Sequence, residues 1–337
     1  MIDFTPLIAI LKESRRILIS AHAKIDGDGL GSAFALYHAL RFRGYTPKIL
    51  FPDAIPSVFR FIGDDFYKVG VISSEFPEKD ADGYDTLIIV DTSSRNQLQK
   101  VALLADSPQL KTVVIDHHAV AETLTEHTFA DSTAPAAGCL VMELLEQWGV
   151  PLDYRADDAT LSIAEYLFFA IATDTGWFRF PSVRQETFQQ AARLMGAGVV
   201  PSKLYVYAYE NYSPARLKLC GVVAEHVQYA CHGRLAYSWV SQSDFSRLGA
   251  QYSETTDLVN TMMMTSGVEV CLLFCEYETG VRVNFRSRSD CNVAEIARSF
   301  QGGGHAKAAG ATILDTLQNA MEMVLQATQN MMLTQDG

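Results

Sequence analysis

Residues 17–43 read ILISAHAKIDGDGLGSAFALYHALRFR. The first five, Ile17 to Ala21, form a short apolar run of the kind that fills a strand buried on both faces. Glycines 27, 29 and 31 interrupt the run. From Leu30 to Arg43 apolar residues then recur at 33, 34, 36, 37 and 40, which is helical spacing. A buried strand, a glycine-rich turn and a helix open a parallel α/β unit. The turn also carries His22, Asp26 and Asp28, three potential metal ligands within seven residues.

The same pattern continues along the chain. Lys48 to Phe51, Thr86 to Val90 (TLIIV) and Thr112 to Ile115 (TVVI) read as further buried strands, and helices are expected near 136–148 and 158–172. Strands alternating with helices predict an α/β fold, a doubly wound, mostly parallel sheet over residues 1–196. Residues 197–227 read as a helical linker containing Gly198, Pro201, the tyrosines 205, 207 and 209, and a helical segment from Pro214. The tyrosines are expected to form a packing surface rather than a base-stacking strip. From 228 to 333 the runs LAYSWV, EVCLLFCEY and VRVNFRSR, flanked by helical stretches, predict a second, smaller α+β domain.

Composition narrows the function. The 337 residues include 27 basic and 39 acidic side chains, a formal net charge of −12. That argues against a broad basic face for long duplex nucleic acid, while leaving room for a local anion site. With 48% hydrophobic and 20% charged residues the chain reads as an ordinary globular protein. It has no apolar run long enough for a membrane span and no pattern of a secretory signal at its N-terminus. Six cysteines, at 139, 220, 231, 271, 275 and 291, make neither a disulfide framework nor a CxxC zinc site. A cytoplasmic location is expected.

Three apolar strands run into the same chemistry. Ile17 to Ala21 leads to His22, Asp26 and Asp28; Thr86 to Val90 leads to Asp91; Thr112 to Ile115 leads to Asp116, His117 and His118. A fourth segment, YLFFAIATDTGWF, delivers Asp174 at the end of an apolar helix. Ligands of open parallel sheets collect at the carboxyl ends of the strands, so these groups converge. Each has a plainer reading alone: Asp91 as a helix cap, Asp174 as a helix-end residue, His117 and His118 as a surface turn. All four segments together favour a site. Asp26, Asp28, Asp91 and Asp174 would repel one another in one crevice, and two divalent cations would cancel their charge. Imidazole and carboxylate ligands suit Mn²⁺, and also Co²⁺, Fe²⁺, Zn²⁺ or Mg²⁺. Such a pair of ions, about 3.5–4 Å apart, is the common apparatus for hydrolysing phosphate esters.

These motifs, His22-Ala-Lys-Ile-Asp26-Gly-Asp28, Asp91, Asp116-His117-His118 and Asp174, resemble the four motifs of the DHH phosphoesterase superfamily, which includes RecJ nucleases and family II pyrophosphatases. The resemblance implies one metal on His22, Asp26 and Asp91, and another on Asp28, Asp91, His117 and Asp174. It implies that His118 faces the substrate phosphate or leaving oxygen, and that Asp116 accepts a hydrogen bond orienting a histidine. In the second domain, Gln301-Gly302-Gly303-Gly304-His305-Ala306-Lys307 is a glycine-rich turn with a basic handle. Arg286 and Arg288 sit two apart on a predicted strand and so point the same way. Each feature alone is ordinary. Together they resemble the DHH-associated C-terminal domain, which implies that Arg286, Arg288, Gly303, Gly304 and His305 grip the nucleotide end of a substrate.

Length, domain order and the GGGH run place the chain near the bacterial nanoRNase and pAp phosphatase group. The expectation is an Mn²⁺-dependent hydrolase of short RNA oligonucleotides and of 3′-phosphoadenosine 5′-phosphate (pAp), a possible homodimer. The alternative within the superfamily is a pApA or cyclic di-AMP phosphodiesterase. From other classes, Gly27-Asp-Gly29-Leu-Gly31 with Asp53 imitates the fingerprint of a dinucleotide-binding dehydrogenase. Its spacing is wrong, and its carboxylates would repel a pyrophosphate. A silent nucleotide-binding module would need a missing ligand, and every expected ligand is present.

Overall fold

The computed structural model describes residues 2–72, 79, 81–118, 123–210 and 212–334. The chain forms two compact units, Met1–Glu210 and Asn211–Gly337.

The first unit holds six strands: β1 (Ile17–Ser20), β2 (Lys48–Phe51), β3 (Val69–Val71), β4 (Thr86–Val90), β5 (Lys111–Asp116) and β6 (Thr128–Ala130). Their order is β3-β2-β1-β4-β5-β6, and every pairing is parallel. The sheet is the doubly wound one the sequence predicts. The chain builds outward from β1 in one direction, then returns to add β4 on its other side. The crevice beyond the carboxyl ends of β1 and β4 is therefore the topological switch point, where ligands of such sheets bind.

The strands read as unbroken apolar runs because both faces are covered. Ile17, Ile19, Ile88, Val90, Val113 and Ile115 face one core. Leu18, Leu87, Ile89 and Val114 face another, closed by Leu98, Val101 and Leu104. The first core contains the helices Gly27–Phe42, Ala137–Gln147 and Ile163–Asp174. The first and last of these approach so closely that a Cβ on Gly31 would lie 2.5 Å from the Tyr166 carbonyl oxygen, so only glycine fits there.

A buried polar knot lies between the same two helices. Asp65, fully buried, comes from the 3₁₀ segment Ser57–Lys68. It accepts hydrogen bonds from the Tyr166 hydroxyl at 2.6 Å and the Lys68 ammonium at 2.6 Å, and meets His38 Nε2 at 3.1 Å. The sequence reads His38 as merely packed and Asp65 as a loop or helix-start charge. The pairing joins positions 27 and 101 residues apart, which local pattern does not encode.

The expected linker at 197–227 is divided between the units. Helix Pro201–Tyr209 belongs to the first, where Leu204 enters the core and Trp177 packs edge-on against Tyr205 and Tyr209 at 4.9 and 5.8 Å. Helix Pro214–Glu225 belongs to the second, with Leu219, Val222 and Val223 in a core there. Each helix contributes buried apolar residues to its own unit, and the boundary falls after Glu210.

The second unit is a six-stranded sheet: β7 (Gln228–Ala230), β8 (Leu235–Val240), β9 (Val270–Tyr277), β10 (Gly280–Ser287), β11 (Gly303–His305) and β12 (Ala308–Ile313), in the order β11-β12-β10-β9-β8-β7. All pairs are antiparallel except β8 with β9. No helix of the described residues is long and apolar enough to cross a membrane. Cys139, Cys220, Cys271, Cys275 and Cys291 are free thiols, and three of the six lie in strand β9 or close after β10.

Candidate metal centre

Asp91 stands at the carboxyl end of β4 with its backbone in the left-handed region, φ +62°. That is a costly conformation for a non-glycine residue and is tolerated best by Asp and Asn. It aims the carboxylate into the switch-point crevice. Oδ2 lies 3.3 Å from His22 Nε2 and Oδ1 lies 3.3 Å from His117 Nε2. Oδ1 is buried and has no hydrogen-bond partner. A buried carboxylate oxygen left without a donor costs free energy, unless a cation is to occupy the position.

The neighbouring groups complete two clusters that share this residue's surroundings. His22, Asp26 and Asp91 converge in one; Asp28, His117 and Asp174 converge in another; in each, the potential ligand atoms lie within 4.8 Å of one another. His22 Nε2 is 3.5 Å from Asp26 Oδ1, and His117 Nε2 is 3.7 Å from Asp28 Oδ2 and 3.5 Å from Asp174 Oδ2. Both histidines turn Nδ1 to a backbone carbonyl, of Ala23 at 2.8 Å and Ala134 at 3.3 Å. A bond at Nδ1 fixes the ring and presents Nε2 to the carboxylates, as in a metal-ligating histidine.

Asp28, 1% exposed, is seated by the chain itself. Its Oδ2 accepts from the Ala137 amide at 2.6 Å, and its Oδ1 from the Gly138 amide at 2.9 Å and the Ser32 hydroxyl at 3.0 Å. The amides open helix Ala137–Gln147, whose dipole favours a negative group there. Asp26 caps its own helix, accepting from the Asp28 and Gly29 amides at 3.0 and 3.1 Å.

The electrostatics show a deficit of positive charge. Burial and the neighbouring Asp91 raise Asp28 well above the carboxylate range, and burial with Asp91 and Asp26 pushes Asp174 up to about 6. Burial alone would lower His22, but Asp26 and Asp91 outweigh it and push the imidazole up to about 11. His117 is likewise driven up against its burial, by Asp91, Asp28 and Asp174. Protons on the imidazoles offset part of the carboxylate charge, as divalent cations would. The oxygen and imidazole donors, their convergence and the orphaned Oδ1 fit divalent ions.

His118 and Asp116 pair at the rim, where His118 Nδ1 also comes within 3.8 Å of Asp91 Oδ1 and so converges with Asp91 and His117. Asp116, fully buried at the end of β5, accepts from His118 Nδ1 at 2.8 Å and from the His118 amide at 3.1 Å. Hydrogen bonding to Asp116 raises His118, and His118 holds Asp116 below its usual range although burial opposes this. The His118 ring is half exposed, with Nε2 free of the Asp116 bond.

In the second unit, Arg286 and Arg288 bracket the end of β10. Arg286 Nη2 meets Asp257 Oδ1 at 3.1 Å, and Arg288 Nη2 donates to the Met263 carbonyl. The GGGH run is an edge hairpin rather than a loose turn: Gly303, Gly304 and His305 pair with Gly310, Ala309 and Ala308. Gly304, at φ +140°, has no room for a Cβ, which would lie 2.5 Å from the Ala308 carbonyl oxygen. A Cβ on Gly303 would touch nothing, so packing does not explain that glycine. The His305 side chain lies outside the described residues.

A family model for the DHH family, N-terminal domain, matches residues 16–171, and one for the DHHA1 domain matches residues 232–332. The chain carries a DHH N-terminal domain followed by a DHHA1 domain. Two relatives are named bifunctional oligoribonuclease and PAP phosphatase NrnA. The Bacillus subtilis protein is 26% identical over 92% of this chain and 93% of its own, and the Thermus thermophilus protein 29% over 93% and 89%. A crystal structure of an exopolyphosphatase-related protein from Bacteroides fragilis shares the fold, with a TM-score of 0.86 at 22% identity over 96% of this chain and 95% of that one. With both domains matched, the chain is a phosphoesterase hydrolase.

The structure brings His22, Asp26, Asp28, Asp91, His117 and Asp174 together in the first unit, with Asp116 and His118 beside them. Sequence reading missed the Ala137 and Gly138 amides, because a backbone donor carries no side-chain signal. It also missed the partners of the two arginines. Arg95, which lies just beyond Asp91, is engaged with Asp106 through two bonds of 2.6 and 2.7 Å.

Proposed function

We propose that this phosphoesterase hydrolyses very short oligoribonucleotides to mononucleotides and pAp to AMP. The observation that carries the reading is Asp91: a buried carboxylate facing both histidines, with one oxygen lacking any donor. His22, Asp26 and Asp91 would hold one divalent ion; Asp28, Asp91, His117 and Asp174 would hold the other, with Mn²⁺ among the ions that suit this mixed donor set. When bound, such a pair supplies Lewis acidity that acidifies water and neutralises charge on a phosphoryl group.

The chain's own residues do the rest. The Ala137 and Gly138 amides fix Asp28, and the backbone carbonyls of Ala23 and Ala134 fix the two histidines. Asp116 orients His118 and favours its protonated form, so His118 is placed to contact phosphate or give a proton to the leaving oxygen. Arg286, Arg288, Gly303, Gly304 and His305 grip the nucleotide end. Arginine suits phosphate through paired N–H bonds, and Gly303 leaves backbone open to an anion. The net charge of −12 supports small substrates over long polyanions, which need many more phosphate contacts. The names of the two relatives, matched over most of both chains, support the substrate pair. The free cysteines accord with a reducing compartment such as the cytoplasm.

A hydrolysis panel with Mn²⁺ tests this: di- to pentaribonucleotides, pAp, pApA, cyclic di-AMP, pyrophosphate and a long single strand. Turnover of diribonucleotides and pAp ahead of the others is expected. Preference for cyclic di-AMP, pyrophosphate or the long strand overturns the assignment.

A further inference from the structure

We infer that Asp257 is an internal competitor for the substrate's phosphate at Arg286, and so sets the affinity for short nucleotides; the inference rests on the phosphate-gripping role proposed above. Arg286 has both terminal nitrogens engaged inside the second unit. Nη1 donates to the Phe285 carbonyl at 3.1 Å and Nη2 to Asp257 Oδ1 at 3.1 Å. Arg288 Nη2 donates to the carbonyl of Met263, six residues beyond Asp257. One short segment, Asp257–Met264, thus occupies both arginines.

That segment is built to stay in place. Leu258, Val259 and Met262 are buried in the core of the second unit. Asp257 precedes the 3₁₀ turn Leu258–Met264 with φ +64°, in the left-handed region. An acidic residue at the start of a helical turn ordinarily caps it. Asp257 caps no backbone amide of the turn; its Oδ1 accepts from the guanidinium at 3.1 Å and, more distantly, from the Asn260 side-chain amide at 3.5 Å. Its side chain is 59% exposed, so water and solute anions reach the pair. An exposed ion pair is weak, and a phosphate can displace the carboxylate at small cost. The carboxylate holds the Arg286 guanidinium and discourages stray anions. It also lowers affinity for the nucleotide product, favouring release.

Asp257→Asn removes the charge and keeps both the shape and a residue type that tolerates the left-handed conformation. With the Mn²⁺-loaded full chain and a 5′-phosphorylated diribonucleotide, KM should fall about two- to fivefold, the scale of an exposed ion pair. The kcat should stay within about twofold while chemistry is limiting, and rise if release limits. Arg286→Ala should raise KM, and Asp257→Asn should have no further effect in that background. A raised KM in Arg286→Ala with an unchanged or raised KM in Asp257→Asn overturns the competitor role alone, the raised case showing that Asp257 positions Arg286. An unchanged KM in Arg286→Ala overturns the grip and the competitor together.

Discussion

Two carboxylates in the first unit, Asp65 and Asp91, are buried to nearly the same degree, fully and to 2% exposure, and meet opposite surroundings. Asp65 receives a hydroxyl, an ammonium and an imidazole. Lys68 and His38 hold it below its usual range, although burial alone would raise it. Asp91 faces His22 and His117 at 3.3 Å each but shares its crevice with Asp26, Asp28 and Asp174, and one of its oxygens makes no hydrogen bond. Burying a charge is expensive unless it is paired. Where the chain supplies the pairing, the carboxylate ties helices together. Where carboxylates outnumber the positive groups, the pocket is arranged for cations from outside.

The sharpest way to break this contrast is Asp91→Ala. Activity should fall below about one per cent of wild type, equivalent to more than about 2.7 kcal/mol of barrier. Bound metal measured by elemental analysis should fall with it, while far-UV circular dichroism stays native. Full metal content in this variant would refute the shared-ligand role.

Proton linkage separates the two carboxylates next. His22 is raised from 6.5 to about 11 in the metal-free fold by Asp26 and Asp91. A group whose folded value lies above its unfolded value stabilises most below the unfolded value, and loses that contribution as pH rises through the folded one. The metal-free protein should therefore lose stability as pH rises from about 6.5 towards 11. Metal must displace these protons, so its affinity should strengthen over the same range. The gap in Tm between Mn²⁺-loaded and chelator-treated protein should widen with rising pH. A gap that is constant or narrows would show that protons and metal do not compete.

The second unit provides a control for the metal assignment. Arg288→Ala should raise KM for a diribonucleotide about tenfold, the size of one charge-assisted hydrogen bond, and leave bound metal unchanged. A loss of metal in this variant would move Arg288 out of substrate binding.

The same contrast explains what the sequence discloses. The ends of β1, β4 and β5 are legible because a continuous apolar run followed at once by Asp or His is a local signal, and doubly wound topology makes those ends converge. Asp174 is legible as the polar end of an apolar helix. The seat of Asp28 is not, since it depends on two amides 109 and 110 residues away. The tie between Asp65, His38 and Tyr166 is hidden for the same reason, as is the occupation of Arg286 by Asp257, 29 residues earlier. Gly198 and Pro201 suggest a helical connector, but each of its helices has apolar residues that its own unit buries. Periodicity reports that a face is buried and not which unit covers it.

The smallest expected effect lies at the satisfied carboxylate. Tyr166→Phe removes one of three donors to Asp65 and leaves the ring, which stacks on Phe34 at 5.2 Å and His38 at 5.6 Å. A hydrogen bond to a charged group contributes about 1.5–3 kcal/mol, and in a unit of this size Tm moves by about 2–4 °C per kcal/mol. A fall in Tm of about 5 °C is expected, with kcat within about twofold of wild type. Helix Ile163–Asp174 carries Asp174 two turns beyond Tyr166, so the measurement can go against the contrast. A normal Tm with a large loss of kcat would mean that the Asp65 knot sets the position of the metal ligand rather than the stability of the fold.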